Sequence, residues 1–291
     1  MKLRFCIHAL ALLAIGVPMM ALPAEVHKLK VVTSFLPVYC FTASVAGDLA
    51  EVENLTPPGT EPHDFQFSPR EMKRLEAADL VVVNGLQIEA WLGRVMSSQD
   101  HPKAIVELAT GLDSELIRGA ANTSNPHIWL DPQLAKHGVT NILLALQKAD
   151  PAHAVGYARN AREYLARLEK LDADLRAGLV PFHGQSIITF HDAFPYFARR
   201  YGLKVAGVIE KVPDVQPSPK YLSALKRVIE RDQVKVIFTE RQSSPKLAGQ
   251  IGRDYHVAVA ELDTLETGEL KPEAYEAGMR ANLGTLEKYL K

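Results

Sequence analysis

Residues 151–179 read PAHAVGYARNAREYLARLEKLDADLRAGL, and this stretch decides the fold. Leu165, Leu168, Leu171 and Leu175 recur at spacings of three and four residues, which is the period of one helix face. No proline follows Pro151 within the stretch, so nothing in it interrupts a helix. The sequence therefore predicts one long amphipathic helix near mid-chain, suited to join two lobes rigidly.

On both sides of this helix, short apolar runs alternate with amphipathic stretches. The apolar runs predict strands at 29–33, 52–55, 80–83 and 104–108, and again at 186–189, 204–209, 234–238 and 257–262. Such alternation is typical of parallel sheets flanked by helices. We predict an α/β protein of two lobes, each with a mainly parallel sheet. The predicted limits are 25–148 for the first lobe, 149–180 for the connecting helix and 181–291 for the second lobe.

The first 24 residues have the layout of a secretory signal peptide. Lys2 and Arg4 precede an apolar run over 9–21, and Ala21 and Ala24 are small residues suited to cleavage. The run is shorter than the ~20 apolar residues that span a bilayer. We therefore predict an exported, soluble mature chain that begins near Glu25.

Charge argues against two classes of partner, and cysteine content excludes an internal disulfide. Without residues 1–24, the chain has 31 basic and 34 acidic side chains. A weakly acidic surface offers no general attraction to nucleic acid or to anionic membranes. Cys40 is the one cysteine left, so an internal disulfide is excluded.

Three histidines and one aspartate fall at or after the ends of predicted strands. They are His63, His127, His191 and Asp263. In open α/β sheets, ligands bind at the carboxyl ends of the strands. Three imidazoles and a carboxylate suit Zn²⁺, whereas an oxygen-rich site favours Mn²⁺, Mg²⁺ or Ca²⁺. A histidine at a strand end is also often a helix cap or a core residue, and the spacing alone does not decide between these readings.

The whole mature chain resembles the metal-specific solute-binding proteins of ABC importers, those for zinc, manganese and iron. The matching segments lie at 31–37, 58–65, 78–85, 125–132, 190–197, 238–246 and 262–265. They include Glu61-Pro62-His63-Asp64, Asn125-Pro126-His127-Ile128-Trp129 and Phe190-His191-Asp192. Several ordered motifs together are far more specific than any one of them.

The resemblance implies the ligand set and the function. It places the family's four metal ligands on His63, His127, His191 and Asp263. Members of manganese or iron type tend to have glutamate at the third position, so His191 favours Zn²⁺ as the transported ion, with Mn²⁺ still possible. The implied protein is a periplasmic monomer that delivers its ion to an ABC transporter permease. We expect no enzymatic activity, and the weakly acidic charge predicts no binding to nucleic acid.

Some features depart from the family or leave alternatives open. Many zinc-type members carry a His-rich loop between the first two ligands. In this sequence, residues 95–124 contain a single histidine, His101. Glu240 could face the cleft, but it is interpreted as a hydrogen-bond partner behind a ligand or as a cap of the helix that begins near Ser244. Glu61 is an alternative ligand, a partner of His63 or a surface residue.

The rival function is a secreted zinc hydrolase, with three histidine ligands and Asp263 as a base. Neither a G-x-S-x-G nor an H-E-x-x-H motif is present, so the binding function is favoured. Nothing in the sequence argues for or against an adhesin-like role.

Overall fold

The computed structural model describes residues 28–63, 65–96, 103–118, 123–210, 217–241 and 245–291. The predicted signal peptide at 1–24 and His101 lie outside the described residues. Among the helices of these ranges, none combines the length and the apolar character that crossing a bilayer requires.

The first lobe alternates strands with helices. Its elements are β1 (Leu29–Thr33), α1 (Leu36–Ala46), β2 (Ala50–Asn54), α2 (Pro69–Ala77), β3 (Leu80–Val83), α3 (Ala90–Met96) and β4 (Ala104–Glu107). The strands pair in parallel in the order β2-β1-β3-β4. Both faces of the central strand β3 are covered, which explains why it is an unbroken apolar run.

The long helix between the lobes packs against the helix that precedes it. α4 (Pro132–Ala149) packs along α5 (Ala154–Leu179), and α5 is flanked by 3-10 turns at Pro151–His153 and Val180–Phe182. The leucines that predict the long helix face inward, and Leu168, Leu171 and Leu175 are fully buried. The lobe limits given above stay predictions.

The second lobe repeats the plan of the first. Its elements are β5 (Ser186–Thr189), α6 (Pro195–Tyr201), β6 (Lys204–Val208), α7 (Pro219–Arg231), β7 (Val236–Thr239), α8 (Pro245–Tyr255), β8 (Ala258–Glu261) and α9 (Ala274–Tyr289). The strand order is β6-β5-β7-β8, again parallel. The predicted two-lobed α/β fold with one long helix is confirmed.

In each sheet the order in which strands are added reverses at the first strand. The second strand pairs on one side of the first strand, and the third strand pairs on its other side. Such a reversal opens a crevice at the carboxyl ends of the strands, and α/β proteins bind ligands there. Both lobes therefore have a binding edge of the same kind.

One continuous apolar core joins the two lobes. It includes Phe41 of α1, Leu168 of α5 and Tyr275 of α9. The Phe41 and Tyr275 rings pack edge to face, with centroids 4.8 Å apart. Trp129, fully buried, donates from Nε1 to the Thr264 carbonyl oxygen at 2.8 Å. Because the contact between the lobes is part of the core, we expect little bending between them.

Local sequence signals locate several element starts. Ser68 forms a capping box with Glu71, and Asp131 caps α4 by accepting a hydrogen bond from the Gln133 N–H. No periodic pattern predicts α3 or the 3-10 turn Ile128–Leu130. Both are too short for a helical period to emerge from the sequence.

Candidate metal centre

His63 lies in the loop between β2 and α2. This loop contains Pro57, Pro58, Gly59 and Pro62, so its backbone is irregular and brings the imidazole out of the sheet edge. The His63 side chain is 28% exposed and its Nε2 lies 3.7 Å from Glu266 Oε1. It is the most accessible member of the group described below.

His127 stands directly before the 3-10 turn that leads into α4 and is almost fully buried. Asn125 Oδ1 accepts hydrogen bonds from the His127 N–H at 3.0 Å and from Nδ1 at 2.9 Å. The Asn125 amide nitrogen donates to the Asp192 carbonyl oxygen, which fixes the orientation of the amide. The proton of neutral His127 is therefore on Nδ1, and Nε2 offers a free lone pair.

His191 follows β5 at the carboxyl edge of the second sheet. Glu240, just after β7, holds it twice, with Oε1 accepting from the His191 N–H at 3.2 Å and Oε2 from Nδ1 at 2.6 Å. A carboxylate behind an imidazole fixes the tautomer and raises the basicity of the other nitrogen. Of the roles considered for Glu240, this geometry fits a hydrogen-bond partner that holds His191 from behind.

Glu266 lies beyond β8 and is buried, with its side chain only 1% exposed. Its Oε1 lies 3.2 Å from His127 Nε2 and 3.8 Å from His191 Nε2. No hydrogen bond to any residue in the described ranges satisfies this oxygen. A buried carboxylate oxygen without a donor is costly, and a bound cation would remove that cost.

The candidate centre is formed by these four side chains: His63, His127, His191 and Glu266. One potential ligand atom from each lies within 4.8 Å of all the others. His127 Nε2 and His191 Nε2 are 3.1 Å apart. Because His127 Nε2 is an acceptor, His191 donates the proton between them. A divalent ion would replace that proton and neutralise the buried carboxylate.

The pKa values follow from burial and from these neighbours. Burial lowers the pKa of His127 to about 4, so this imidazole is neutral and ready to coordinate. Burial alone would lower the pKa of His191 too, but the hydrogen bond and negative charge of Glu240 raise it to about 9. Burial alone would raise the pKa of Glu266, but the positive charge of the nearby His191 holds it well below its usual range.

The structure does not bring Asp263 into this group. Asp263 Oδ1 accepts a hydrogen bond from the Leu265 N–H at 2.8 Å, and Oδ2 lies 3.4 Å from the Arg241 guanidinium. The first contact closes a turn in which Leu265 has the unusual backbone angle φ 62°. This turn carries the chain to Glu266, which stands where the fourth ligand was expected.

Sequence reasoning missed Glu266 for a clear reason. The motif match ends at 262–265, and Asp263 is the first acidic side chain after the strand. The signal that was available is Glu266 itself, an acidic residue three positions on in Asp263-Thr264-Leu265-Glu266. Glu61 is half-buried and does not belong to the group of four side chains.

Comparisons with known proteins show which proteins this chain is similar to. The chain is 33% identical over 284 residues to the high-affinity zinc uptake system protein ZnuA of Bacillus subtilis, covering 90% of this chain and 88% of that protein. It is 33% identical over 286 residues to the zinc-binding protein AdcA of Streptococcus pyogenes. The alignment covers 89% of this chain but 55% of AdcA, so the chain spans about half the length of that relative.

A solved structure also matches closely. The solute-binding protein FpvC of Pseudomonas aeruginosa, determined in complex with Mn²⁺, superposes with a TM-score of 0.82 at 31% identity, covering 90% of this chain and 98% of that chain. The family described as zinc-uptake complex component A, periplasmic, matches residues 31–289. The chain belongs to this family of periplasmic zinc-uptake components.

Proposed function

We propose that this protein captures Zn²⁺ in the periplasm and delivers it to the permease of an ABC importer. The observation that carries the proposal is the convergence of three imidazoles and one buried, unsatisfied carboxylate oxygen from both lobes. Three nitrogen donors and one oxygen suit Zn²⁺, which binds them tetrahedrally at about 2.0–2.2 Å. We assign His63, His127, His191 and Glu266 as ligands, with Glu266 in the place that the family motif gives to Asp263.

Four protein ligands favour binding over catalysis. A catalytic zinc ion keeps one coordination position open for water. With Glu266 in the fourth position, no such place remains, which argues against the secreted hydrolase. A filled site, closed by ligands from two lobes, is what a carrier needs to hold its ion until it meets a permease.

Manganese is the second candidate ion, since the structural relative FpvC was determined with Mn²⁺. Mn²⁺ prefers oxygen ligands, and this centre has one carboxylate among three imidazoles. The donor set therefore favours Zn²⁺. We further propose that the protein works as a monomer in the periplasm and binds no nucleic acid.

Native mass spectrometry tests the proposal directly. The mature protein, residues 25–291, is stripped with chelator and offered equimolar Zn²⁺ and Mn²⁺. We expect one Zn²⁺ per chain. One Mn²⁺ in its place would overturn the choice of ion, and the absence of any stoichiometric metal would overturn the proposed function.

A change at position 191 tests the basis of selectivity. His191→Glu replaces a nitrogen donor by oxygen, so we expect the preference in the same competition to shift toward Mn²⁺. In the parent protein, Glu240 accepts a hydrogen bond from His191 Nδ1. In the single variant, Glu240 would therefore face a second carboxylate. The matched variant is therefore His191→Glu with Glu240→Gln. Unchanged selectivity in both variants would show that residue 191 does not set the choice between Zn²⁺ and Mn²⁺.

A further inference from the structure

A turn at the carboxyl end of β3 has an unusual backbone. Gly85, Leu86 and Gln87 have φ values of 83°, 57° and 68° in succession. Leu86 and Gln87 are not glycines, and side-chain-bearing residues rarely adopt this left-handed conformation. Such a turn persists only where its surroundings hold it in place.

The side chain that holds the turn is Glu89, a buried carboxylate with 7% exposure. It accepts hydrogen bonds from the Asn84 N–H at 2.7 Å and the Gly85 N–H at 3.1 Å. It also accepts one from the Ser34 hydroxyl, just after β1, at 2.7 Å. Burial raises the pKa of Glu89 to about 7 against the effect of these donors. Glu89 thus joins the ends of β1 and β3.

From this turn a first contact reaches the loop of His127. Asn84 is fully buried, and its amide nitrogen donates to the Pro126 carbonyl oxygen at 2.9 Å. Pro126 immediately precedes His127. The position of the His127 backbone is therefore set from β3 as well as by its own bonds to Asn125.

A second contact reaches the loop of His63. Trp91, two residues beyond Glu89, donates from its indole Nε1 to the Pro62 carbonyl oxygen at 3.2 Å. Pro62 immediately precedes His63. Trp91 is 6% exposed, and its ring packs edge to face against Phe65, with centroids 4.9 Å apart. The indole thus contacts this loop on both sides of His63, at Pro62 and at Phe65.

We propose that residues 84–91, the histidine-positioning turn, set the separation of His63 and His127, with Asn84 and Trp91 as its two contacts and Glu89 as its brace. None of the three is a candidate ligand. Asn84 and Trp91 act through the residue before a histidine, and Glu89 acts through the turn that carries them, so all three are positioning residues. The inference rests on the proposed function, because it assigns a role relative to the metal ligands named there. It adds three specific side chains that tune affinity without touching the ion.

The test compares Asn84→Ala and Trp91→Phe with the parent mature protein. Trp91→Phe keeps an aromatic ring but removes the indole donor. Zinc affinity is measured by competition with a chromogenic chelator, and the visible spectrum with Co²⁺ reports the coordination geometry. Changes behind a ligand typically weaken metal binding about 10–100-fold, and we expect about 10-fold for each variant with an altered Co²⁺ spectrum. Leu75→Ala is the matched control, because Leu75 is buried in the same apolar cluster as Trp91.

A double-mutant cycle separates positioning from loss of stability. If Asn84 acts through His127, Asn84→Ala has little further effect in a His127→Ala protein, whereas Trp91→Phe keeps its effect there. The reverse is expected in a His63→Ala protein. Glu89→Gln places an amide donor beside the backbone N–H groups of Asn84 and Gly85, so it should weaken zinc binding through both contacts. Part of this loss is therefore expected in the His127→Ala protein and part in the His63→Ala protein. A purely structural role would weaken binding equally in every background.

The outcomes distinguish this inference from the proposed function. If the parent protein binds no zinc, the proposed function fails and this inference fails with it. If the parent binds zinc and both Asn84→Ala and Trp91→Phe bind as tightly as Leu75→Ala, the positioning turn is overturned while the proposed function stands.

Discussion

Glu266→Gln is expected to weaken zinc binding by at least about 100-fold, whereas Asp263→Asn weakens it by less than about 3-fold. The loss at 266 lies at or above the top of the range for residues that only support a ligand. Both substitutions remove one negative charge and keep the shape of the side chain. Glu266 Oε1 is buried among the imidazoles without a donor. Asp263 instead accepts the Leu265 N–H, and the asparagine carbonyl oxygen can accept that bond equally well.

Chelator competition titrations on both variants, side by side, measure the difference. The apo thermal midpoint of each variant serves as the control for folding. Asp263→Ala, which removes the turn acceptor altogether, is expected to fall between them, at about 10-fold. If Asp263→Asn lost more affinity than Glu266→Gln, Asp263 would be the fourth ligand and the family motif would have placed it correctly.

The fold was predictable because its signals are local and periodic. The leucine spacing in 151–179 predicts α5, and the apolar runs predict the strands, with 80–83 and 186–189 matching β3 and β5 to the residue. The prolines after Ser68 and Asp131 mark helix starts. Each of these features depends on neighbours within a few residues, so no knowledge of distant contacts is needed.

The fourth member of the centre depends on contacts that the sequence does not display. Asp263 and Glu266 follow β8 three positions apart, and composition does not tell which one turns inward. The outcome depends on the turn at Leu265 and on Arg241, which approaches Asp263 from the end of β7. The histidine-positioning turn escapes prediction for a related reason. Leu86 and Gln87 are not residues that indicate a left-handed backbone, and the Glu89 carboxylate that holds the turn is buried and out of view of any local pattern.

Arg200→Met is expected to lower the free energy of unfolding of the apo protein by about 3 kcal/mol. Asp131, at the start of α4, is fully buried, and the Arg200 Nε of α6 donates to both of its carboxylate oxygens at 2.9 Å. Without the guanidinium, a buried negative charge would keep only the N–H groups of the helix start as partners. The expected loss is at the lower end for buried pairs, because Arg200 is 28% exposed.

Urea unfolding of the parent, of Arg200→Met and of Asp131→Asn with Arg200→Met measures this contribution. The double variant should recover part of the loss, because asparagine still caps α4 and leaves no unpaired charge. The pair joins α4 to the second lobe, so its strength also bears on how freely the lobes move. If the apo stability of Arg200→Met were unchanged while its zinc affinity fell, the pair would form only when metal is bound. In that case the two lobes would be less firmly joined than their shared core implies.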